Sequence, residues 1–288
     1  MRIPPKDIPL KYLREKVLEL LYWLKVFTEG KGIRDKVLLF PTATLRALQL
    51  GIEHGAGLLR YILEKLISKT APAIIIQNDL GIFKCRKGSG ADIQMAAEGC
   101  IEREFTKYVL GKSPKMFVDV GANIGRYTIP MAKRSGTVVA IDADPENFKQ
   151  LVENIKLNNL KNVIAVERAC WFEESVLPMS ISPIHSKTTS SLKWESGKAV
   201  EVRCSTLDSI LKEYGIKEVD LVKIDIEGAE KEALMGMKEV IANSPKIEII
   251  FEAWNQQDLR ECTEILNKLG IAGNPKRIGE IIYGVVKG

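Results

Sequence analysis

The protein is a chain of 288 residues with 45% hydrophobic and 27% charged residues and a formal net charge of +5. This composition allows one sizeable α/β domain with a smaller appendage and excludes a chain that is disordered over its whole length. The five cysteines include no C-x-x-C pair, which argues against a zinc knuckle or a disulfide framework and favours a reducing compartment. The mild, interspersed positive charge is not a nucleic-acid signature.

The first ten residues carry charges and three prolines, where a signal peptide would need an unbroken apolar run. No stretch of about 18 uncharged apolar residues follows anywhere in the chain. The sequence therefore predicts a cytoplasmic protein without an integral membrane segment.

Residues 1–70 are predicted to form an N-terminal helical region, with helices over 10–28 and 42–68. The first of these helices is apolar around much of its circumference, so a partner must cover it. Packing on the rest of the protein is the simplest interpretation. A homodimer contact or contact with a membrane surface is the alternative.

Residues 71–112 are predicted to form a lead-in hairpin and helix, with strands at Ala73–Gln77 and Gly81–Arg86. From residue 113 to 288, short apolar runs alternate with helical stretches. This alternation predicts an α/β fold with a Rossmann-like, doubly wound, mostly parallel sheet, preceded by the helical extension. The predicted strands are Met116–Val120, Thr137–Ile141, Val163–Val166, Leu221–Ile226 and Ile247–Phe251.

A glycine-containing turn follows the first of these strands, in the segment Asp119-Val120-Gly121-Ala122-Asn123-Ile124-Gly125. Glycine lets the backbone turn tightly and approach a ligand, and the next helix presents its N-terminal N–H groups there. A dinucleotide-binding loop would carry G-x-G-x-x-G, but Asn123 stands at the second glycine. The loop therefore favours a nucleoside with a carboxylate tail over a pyrophosphate.

Asp142 ends the second predicted strand, 21 positions after Gly121. In ligand-binding α/β folds, a carboxylate about 20 residues after the glycine turn accepts hydrogen bonds from both hydroxyls of a ribose. The structural alternative is that the glycines only make a turn and that Asp142 caps the next helix.

Four segments resemble the FkbM family of class I methyltransferases, namely VDVGANIGRYTIPMA, VVAIDADPENFKQLVENIKLNN, STLDSIL and VDLVKIDIEGAEKEALMGM. The resemblance covers residues 81–270 in order and spacing, with Gly90-Ala91-Asp92 and Glu104-Phe105 as lead-in matches. It implies S-adenosylmethionine as the cofactor and usually a hydroxyl as the methyl acceptor. Asp142 is a departure, because family members often carry Glu there; Asp keeps the carboxylate but shortens its reach.

Two sets of site residues follow from the motifs and the resemblance. Asp225, Glu227 and Lys223 are the predicted catalytic residues, since Asp225 and Glu227 alternate along a strand end and would both face the transferred methyl group. Each has a structural alternative: cofactor positioning for Asp225, a helix cap for Glu227 and a salt bridge for Lys223. No metal site is predicted, because no further ligand cluster is evident. The predicted cofactor-binding residues are Asp119, Gly121, Ala122, Asn123, Gly125, Asp142, Ala143, Glu104 and Arg168.

Residues 119–169 also resemble the Rossmann-type tRNA guanine methyltransferases. Enzymes that methylate nitrogen commonly carry an N/D-P-P-Y loop after the fourth strand, whereas Asp225 is followed here by Ile226-Glu227-Gly228. We therefore expect methylation of a hydroxyl on a small molecule or glycan. An RNA methyltransferase and a cofactor-binding interaction module are the alternatives. The polar segment 183–197 and the residues Glu252 and Trp254 are candidates to contact the acceptor, with a surface loop and packing as alternatives.

Overall fold

The computed structural model describes residues 29–32, 34–38, 73–97, 103–181, 190–192, 198–271, 275–278 and 282–287. The helices predicted over 10–28 and 42–68 lie outside these ranges. By its internal contacts the chain divides into two compact units, Met1–Asn78 with Lys84–Ile101 and Asp79–Phe83 with Glu102–Gly288. The three-part division at residues 70 and 112 stays a prediction.

The predicted hairpin is present as strands β1 (Ile74–Asn78) and β2 (Gly81–Cys85). Helix α1 (Gly90–Ala96) follows in the first unit, where the Ser89 hydroxyl accepts the N–H of Asp92. The buried Asp92 carboxylate in turn accepts two hydrogen bonds from the Arg86 guanidinium, at 2.7 and 2.8 Å. This pairing offsets the cost of burying the Asp92 charge.

The second unit is built on a six-stranded sheet with the order β12-β11-β10-β3-β4-β5. Five of its strands are parallel, and β12 is antiparallel to β11. The predicted α/β fold with a Rossmann-like, mostly parallel sheet is confirmed. The strands are β3 (Met116–Val120), β4 (Thr137–Asp142), β5 (Val163–Glu167), β10 (Leu221–Ile224), β11 (Glu248–Ala253) and β12 (Ile282–Lys287).

Helices cover both faces of this sheet, which explains why its central strands are apolar at nearly every position. The helices are α2 (Arg103–Leu110), α3 (Thr128–Ala132), α4 (Pro145–Leu157), α5 (Leu207–Glu213), α6 (Glu230–Met235), α7 (Lys238–Asn243) and α8 (Gln256–Lys268). Val118 and Val120 pack into one cluster with residues of α5 to α8. Phe117, the residue before Val118 in the strand, packs on the other face with Phe105 of α2 and Met131 of α3.

Two differences from the sequence prediction lie in residues 221–243. Strand β10 ends at Ile224, two residues before the predicted end. The helical pattern of the sequence over residues 229–242 predicts a single helix, but the structure divides it into α6 and α7 at Gly236. A Cβ on Gly236 would lie 2.3 Å from the carbonyl oxygen of Trp171, so the chain turns there at a point of close backbone approach.

A second, four-stranded sheet follows β5 in the chain and was not predicted. It comprises β6 (Ala169–Cys170), β7 (Ser175–Ile181), β8 (Ser190–Ser191) and β9 (Lys198–Ser205), in the order β6-β9-β7-β8. Most of the predicted polar loop at 183–197 lies outside the described residues. Among all the residues that the structure describes, none of the helices has the length and apolar character needed to span a lipid bilayer.

Candidate active site

The cofactor loop, residues 121–125, turns the chain from β3 toward α3 through three left-handed residues. Gly121, Asn123 and Gly125 have φ values of 77°, 52° and 96°. Asn is one of the few other residues that tolerate this region, so Asn123 continues the turn without a third glycine. A Cβ on Gly121 would lie 1.9 Å from the carbonyl oxygen of Asp225. The loop after β3 and the loop after β10 are therefore in direct backbone contact.

A buried lysine lies beneath this contact. Lys223 of β10 pairs with Asp119 of β3, and its Nζ lies 3.2 Å from the Asp119 carboxylate and 3.6 Å from the Asp225 carboxylate. It also donates a hydrogen bond of 3.0 Å to the carbonyl oxygen of Gly121. Asp119 accepts a further hydrogen bond of 2.6 Å from the Thr128 hydroxyl. Lys223 thus links both loops through one shared charge, as the salt-bridge alternative expected.

Asp142 ends β4 beside the cofactor loop and is 8% exposed. One carboxylate oxygen accepts the N–H of Asn123 at 2.7 Å, and the other accepts the N–H of Asp144 at 3.0 Å. Burial raises the pKa of Asp142 to about 7, against the lowering effect of these two hydrogen bonds. The helix-cap alternative does not apply to Asp142, because Asp144 caps α4.

The acidic loop, residues 225–228, follows β10. Asp225 is partly exposed, and its N–H bonds to the carbonyl oxygen of Val120. Glu227 has a φ of 58°, and its carbonyl oxygen accepts a hydrogen bond of 2.8 Å from the Ser191 hydroxyl of β8. Because the strand ends at Ile224, the strand alternation used to place Asp225 and Glu227 on one side does not hold.

Glu230, rather than Glu227, receives the main-chain N–H groups near the start of α6. Its Oε1 accepts the N–H of Ile226 at 3.0 Å and the N–H of Gly228 at 3.2 Å. Burial, and then the charge of Asp225, raises the pKa of Glu230 to about 7. The helix-cap interpretation of Glu227 is therefore replaced by a role for Glu230.

Glu252 is the penultimate residue of the adjacent strand β11 and lies close to the acidic loop. Burial raises the pKa of Glu252 to about 10, and the charges of Asp225, Glu227 and Glu230 add to the effect. The indole N–H of Trp254 donates a hydrogen bond of 3.1 Å to this carboxyl group. Trp254 itself is 52% exposed. This edge of the sheet therefore combines several carboxyl groups with an open aromatic ring.

The other predicted cofactor residues lie in different settings. Ala122 is buried in the cofactor loop. Ala143 follows Asp142 and packs against the four-stranded sheet β6–β9, which we call the small sheet. Glu104 is exposed on α2. The Arg168 guanidinium pairs with Glu213 of α5. The cofactor roles of Glu104 and Arg168 stay predictions, as do those of the loop residues.

Sequence reasoning included Ser191 only as part of the candidate segment 183–197, and it did not identify Glu230. Ser191 lies in a two-residue strand of a sheet that shows no distinctive pattern. A signal for Glu230 was available, since it is the second acidic residue of the EGAE segment, but spacing alone does not show where its carboxylate turns. Among the described residues, no cluster of His, Cys, Asp or Glu is arranged to hold a metal ion.

The hydrogen-bonding groups at this edge of the sheet suit a nucleoside cofactor. Each Asp142 oxygen uses one acceptor position for a main-chain N–H, and an ionised carboxylate offers about four positions in all. The remaining positions match the two hydroxyls of a ribose. Left-handed residues in the cofactor loop bring main-chain groups to the same edge of the sheet, where α/β folds bind their ligands.

Comparison with known proteins identifies the family of the chain. The Methyltransferase FkbM domain family matches residues 119–274. Methyltransferase sdnD from Sordaria araneosa is 25% identical over 191 residues, which are 54% of this chain and 72% of the relative. Hexuronic acid methyltransferase AglP from Haloferax volcanii is 24% identical over 150 residues, 52% of this chain and 60% of the relative.

A shorter match links the chain to an RNA-modifying enzyme. The tRNA(Phe) (4-demethylwyosine(37)-C(7)) aminocarboxypropyltransferase of Methanocaldococcus jannaschii is 40% identical over 74 residues, 25% of this chain and 30% of the relative. The chain thus spans less than two thirds of this relative and of AglP. The family match, in contrast, extends over more than half of the chain and includes both loops. The chain belongs to the FkbM family of methyltransferases, and it is an S-adenosylmethionine-dependent methyltransferase.

Proposed function

We propose that the protein transfers the methyl group of S-adenosylmethionine to a hydroxyl oxygen of a small molecule or glycan. In this proposal Asp142 binds the ribose of the cofactor, and Asp225 and Glu227 face the acceptor. The observation that carries it is the contact between Gly121 and the Asp225 carbonyl oxygen, where a Cβ would lie only 1.9 Å away. This contact sets the acidic loop directly beside the cofactor loop.

A hydroxyl acceptor needs a proton acceptor as well as correct orientation. The sulfonium of the cofactor is already a good leaving group, so in-line alignment supplies much of the rate. The hydroxyl must also lose its proton, and a carboxylate at hydrogen-bond distance is a suitable general base. Asp225 meets the requirement of position, because it is partly exposed and borders the cofactor loop. Lys223, at 3.6 Å, balances part of its charge.

The surroundings of the acidic loop favour a sugar or other small hydroxyl compound. Trp254 offers an exposed apolar face, suited to the C–H face of a sugar ring, and packs over Gly228, whose Cβ would lie 3.5 Å from the indole. No aromatic residue occupies positions 226–228, where nitrogen methyltransferases commonly hold a planar base. The hexuronic acid specificity in the name of the relative AglP agrees with a glycan acceptor.

RNA is the second candidate, because the 74-residue match to a tRNA-modifying enzyme is 40% identical. The acidic loop counts against it, since the charges of Asp225 and Glu227 would repel a polyphosphate chain. A single sugar carboxylate carries far less charge. The small-molecule or glycan acceptor is therefore preferred.

The proposal is tested with the purified protein, methyl-labelled S-adenosylmethionine and a cell extract separated into small-molecule, glycan, RNA and protein fractions. We expect label in the small-molecule or glycan fraction as a methyl ether, which mass spectrometry and alkaline hydrolysis distinguish from the methyl ester that a carboxylate acceptor would give. An alkali-stable methyl ether supports the proposal. Ribonuclease-sensitive label would favour the RNA alternative, and cofactor binding without transfer to any fraction would favour an interaction module. Asp225→Asn serves as the matched control.

A cytoplasmic location and the role of the N-terminal helices are also proposals. We infer that the apolar helix predicted over residues 10–28 packs on the rest of the protein, with self-association or contact with a membrane surface as alternatives. Light scattering of the purified chain distinguishes a monomer from a homodimer. Sedimentation with anionic lipid vesicles tests the membrane alternative.

A further inference from the structure

Glu227 has a backbone conformation that is unusual for its residue type. Its φ of 58° lies in the left-handed region, which glycine adopts freely and which Asn and Asp tolerate better than longer side chains. Such a residue persists only where its surroundings hold it, and strained residues of this kind concentrate at functional sites. The conformation therefore raises the question of what holds it.

Two side chains hold the peptide groups around Glu227. Glu230 accepts the N–H groups of Ile226 and Gly228 through one oxygen, at 3.0 and 3.2 Å, and so spans Glu227 on both sides. Ser191 donates its hydroxyl to the carbonyl oxygen of Glu227 at 2.8 Å. Both side chains belong to buried residues, with exposures of 5% for Glu230 and 2% for Ser191. Burial strengthens such hydrogen bonds and limits competition from water.

An ordinary helix cap does not account for Glu230. It is the first residue of α6, whereas the N-cap position is Ala229, which makes no side-chain hydrogen bond. An N-cap side chain bonds to N–H groups two or three residues further along the helix. The Glu230 carboxylate instead reaches backward to Ile226 and Gly228 of the acidic loop. Its hydrogen bonds therefore order the loop.

We propose that Glu230 and Ser191 are positioning residues that hold Glu227 in its left-handed conformation and so place the acidic loop for the acceptor. This inference rests on the proposed function for its consequence in methyl transfer, but not for its conformational part. Ser191 belongs to β8 of the small sheet and Glu230 to α6 beside the large sheet, so the loop is fixed from both. The small sheet thereby contributes to the geometry of the acceptor site.

The conformational part is tested by comparing Glu227→Gly with Glu227→Ala. In a left-handed position glycine is the more stable residue, so we expect Glu227→Gly to melt about 2 to 4 °C above Glu227→Ala. When both variants also carry Glu230→Ala and Ser191→Ala, the loop is free to relax and this advantage should disappear. No advantage for glycine with both positioning residues present would overturn the proposal, and so would an advantage unchanged in their absence.

The functional part is tested by turnover and cofactor affinity in single variants. We expect Glu230→Ala and Ser191→Ala to lower kcat about 10- to 100-fold through misplacement, with the affinity for S-adenosylmethionine unchanged. Glu230→Gln should restore most of kcat, because an amide oxygen accepts the same two N–H groups. Glu239→Ala, at an exposed glutamate of α7, is the matched control.

The two tests separate the possible failures. Full turnover by Glu230→Ala in an active protein would overturn the positioning role while leaving the proposed function intact. A wild-type protein that methylates no hydroxyl acceptor would remove the proposed function, while the melting comparison would still decide the conformational part.

Discussion

The cofactor loop and the acidic loop lie side by side at the same edge of the sheet but are held in different ways. In the cofactor loop, Gly121 and Gly125 adopt left-handed conformations at little cost, and the chain turns through its own backbone. In the acidic loop, Glu227 adopts a similar conformation against its preference and is held by the side chains of Glu230 in α6 and of Ser191, 36 residues away in β8. Local residue choice thus shapes one loop, and tertiary contacts shape the other.

The largest expected effect is that of Gly121→Ala, because it attacks the contact between the two loops. The new Cβ would combine a φ of 77° with a separation of 1.9 Å from the Asp225 carbonyl oxygen. We expect a loss of about 3 to 5 kcal/mol in the free energy of unfolding. Gly215→Ala is the matched control, since its φ is 69° and nothing lies within 4 Å of the added Cβ. It should cost only about 1 to 2 kcal/mol in urea denaturation. Equal losses would show that the loops are not closely packed.

Asp225→Asn and Glu227→Gln examine the acidic loop alone. Both changes keep the shape of the side chain and remove its charge, so cofactor affinity should remain nearly intact. If the pair serves proton removal and acceptor positioning, single-turnover methylation should slow by about 10²- to 10⁴-fold. Normal turnover with a lowered melting temperature would instead assign these residues a structural role.

Asp142→Ala removes the carboxylate that lies at the end of β4 beside the cofactor loop. We expect it to weaken S-adenosylmethionine binding by about 1.5 to 3 kcal/mol in calorimetry, the usual value of hydrogen bonds to a charged group. Asp144→Ala is the control, because Asp144 caps α4 through the N–H groups of Glu146 and Asn147. It should lower stability by about 1 kcal/mol without affecting cofactor binding. Unchanged affinity in Asp142→Ala would remove the ribose assignment.

The pH dependence of binding sharpens the same assignment. Burial raises the pKa of Asp142 to about 7, so the carboxylate is partly protonated below neutrality. Ribose hydroxyls donate to the ionised form and favour it. Cofactor affinity should therefore rise between pH 6 and 8 in the wild-type protein and stay level in Asp142→Asn. Titration calorimetry at the two pH values measures this difference.

The smallest expected effect concerns Glu252, which borders the acidic loop. With a pKa of about 10 in the folded protein against an ordinary 4.5, it keeps a proton that the unfolded chain releases between these values. Stability should therefore fall as pH rises through this window. Between pH 6 and 9, the Glu252→Gln variant should lose about 1 kcal/mol less stability than the wild-type protein. The limit for one proton is about 1.4 kcal/mol per pH unit. The expected effect is smaller because partial contact with solvent screens the Glu252 carboxyl group. Urea midpoints that change equally with pH in both proteins would contradict this.

The sequence by itself determined the five parallel strands of the large sheet and the position of the cofactor loop, but not the antiparallel strand β12. Buried parallel strands need apolar residues at almost every position, and left-handed turns select glycine or Asn, so both features are visible in a single chain. The family resemblance could also be recognised from the sequence, because its motifs lie at the strand ends, where these apolar runs and turn residues occur.

Only the tertiary structure decided the form of the acidic loop. The end of β10 at Ile224, the left-handed Glu227 and the roles of Ser191 and Glu230 depend on hydrogen bonds between residues up to 36 positions apart. The raised pKa of Glu252 likewise depends on burial beside Asp225, Glu227 and Glu230. Periodicity reports which face of an element is buried. It does not show which distant polar group a side chain will bond to, and such hydrogen bonds determine the conformation of the acidic loop.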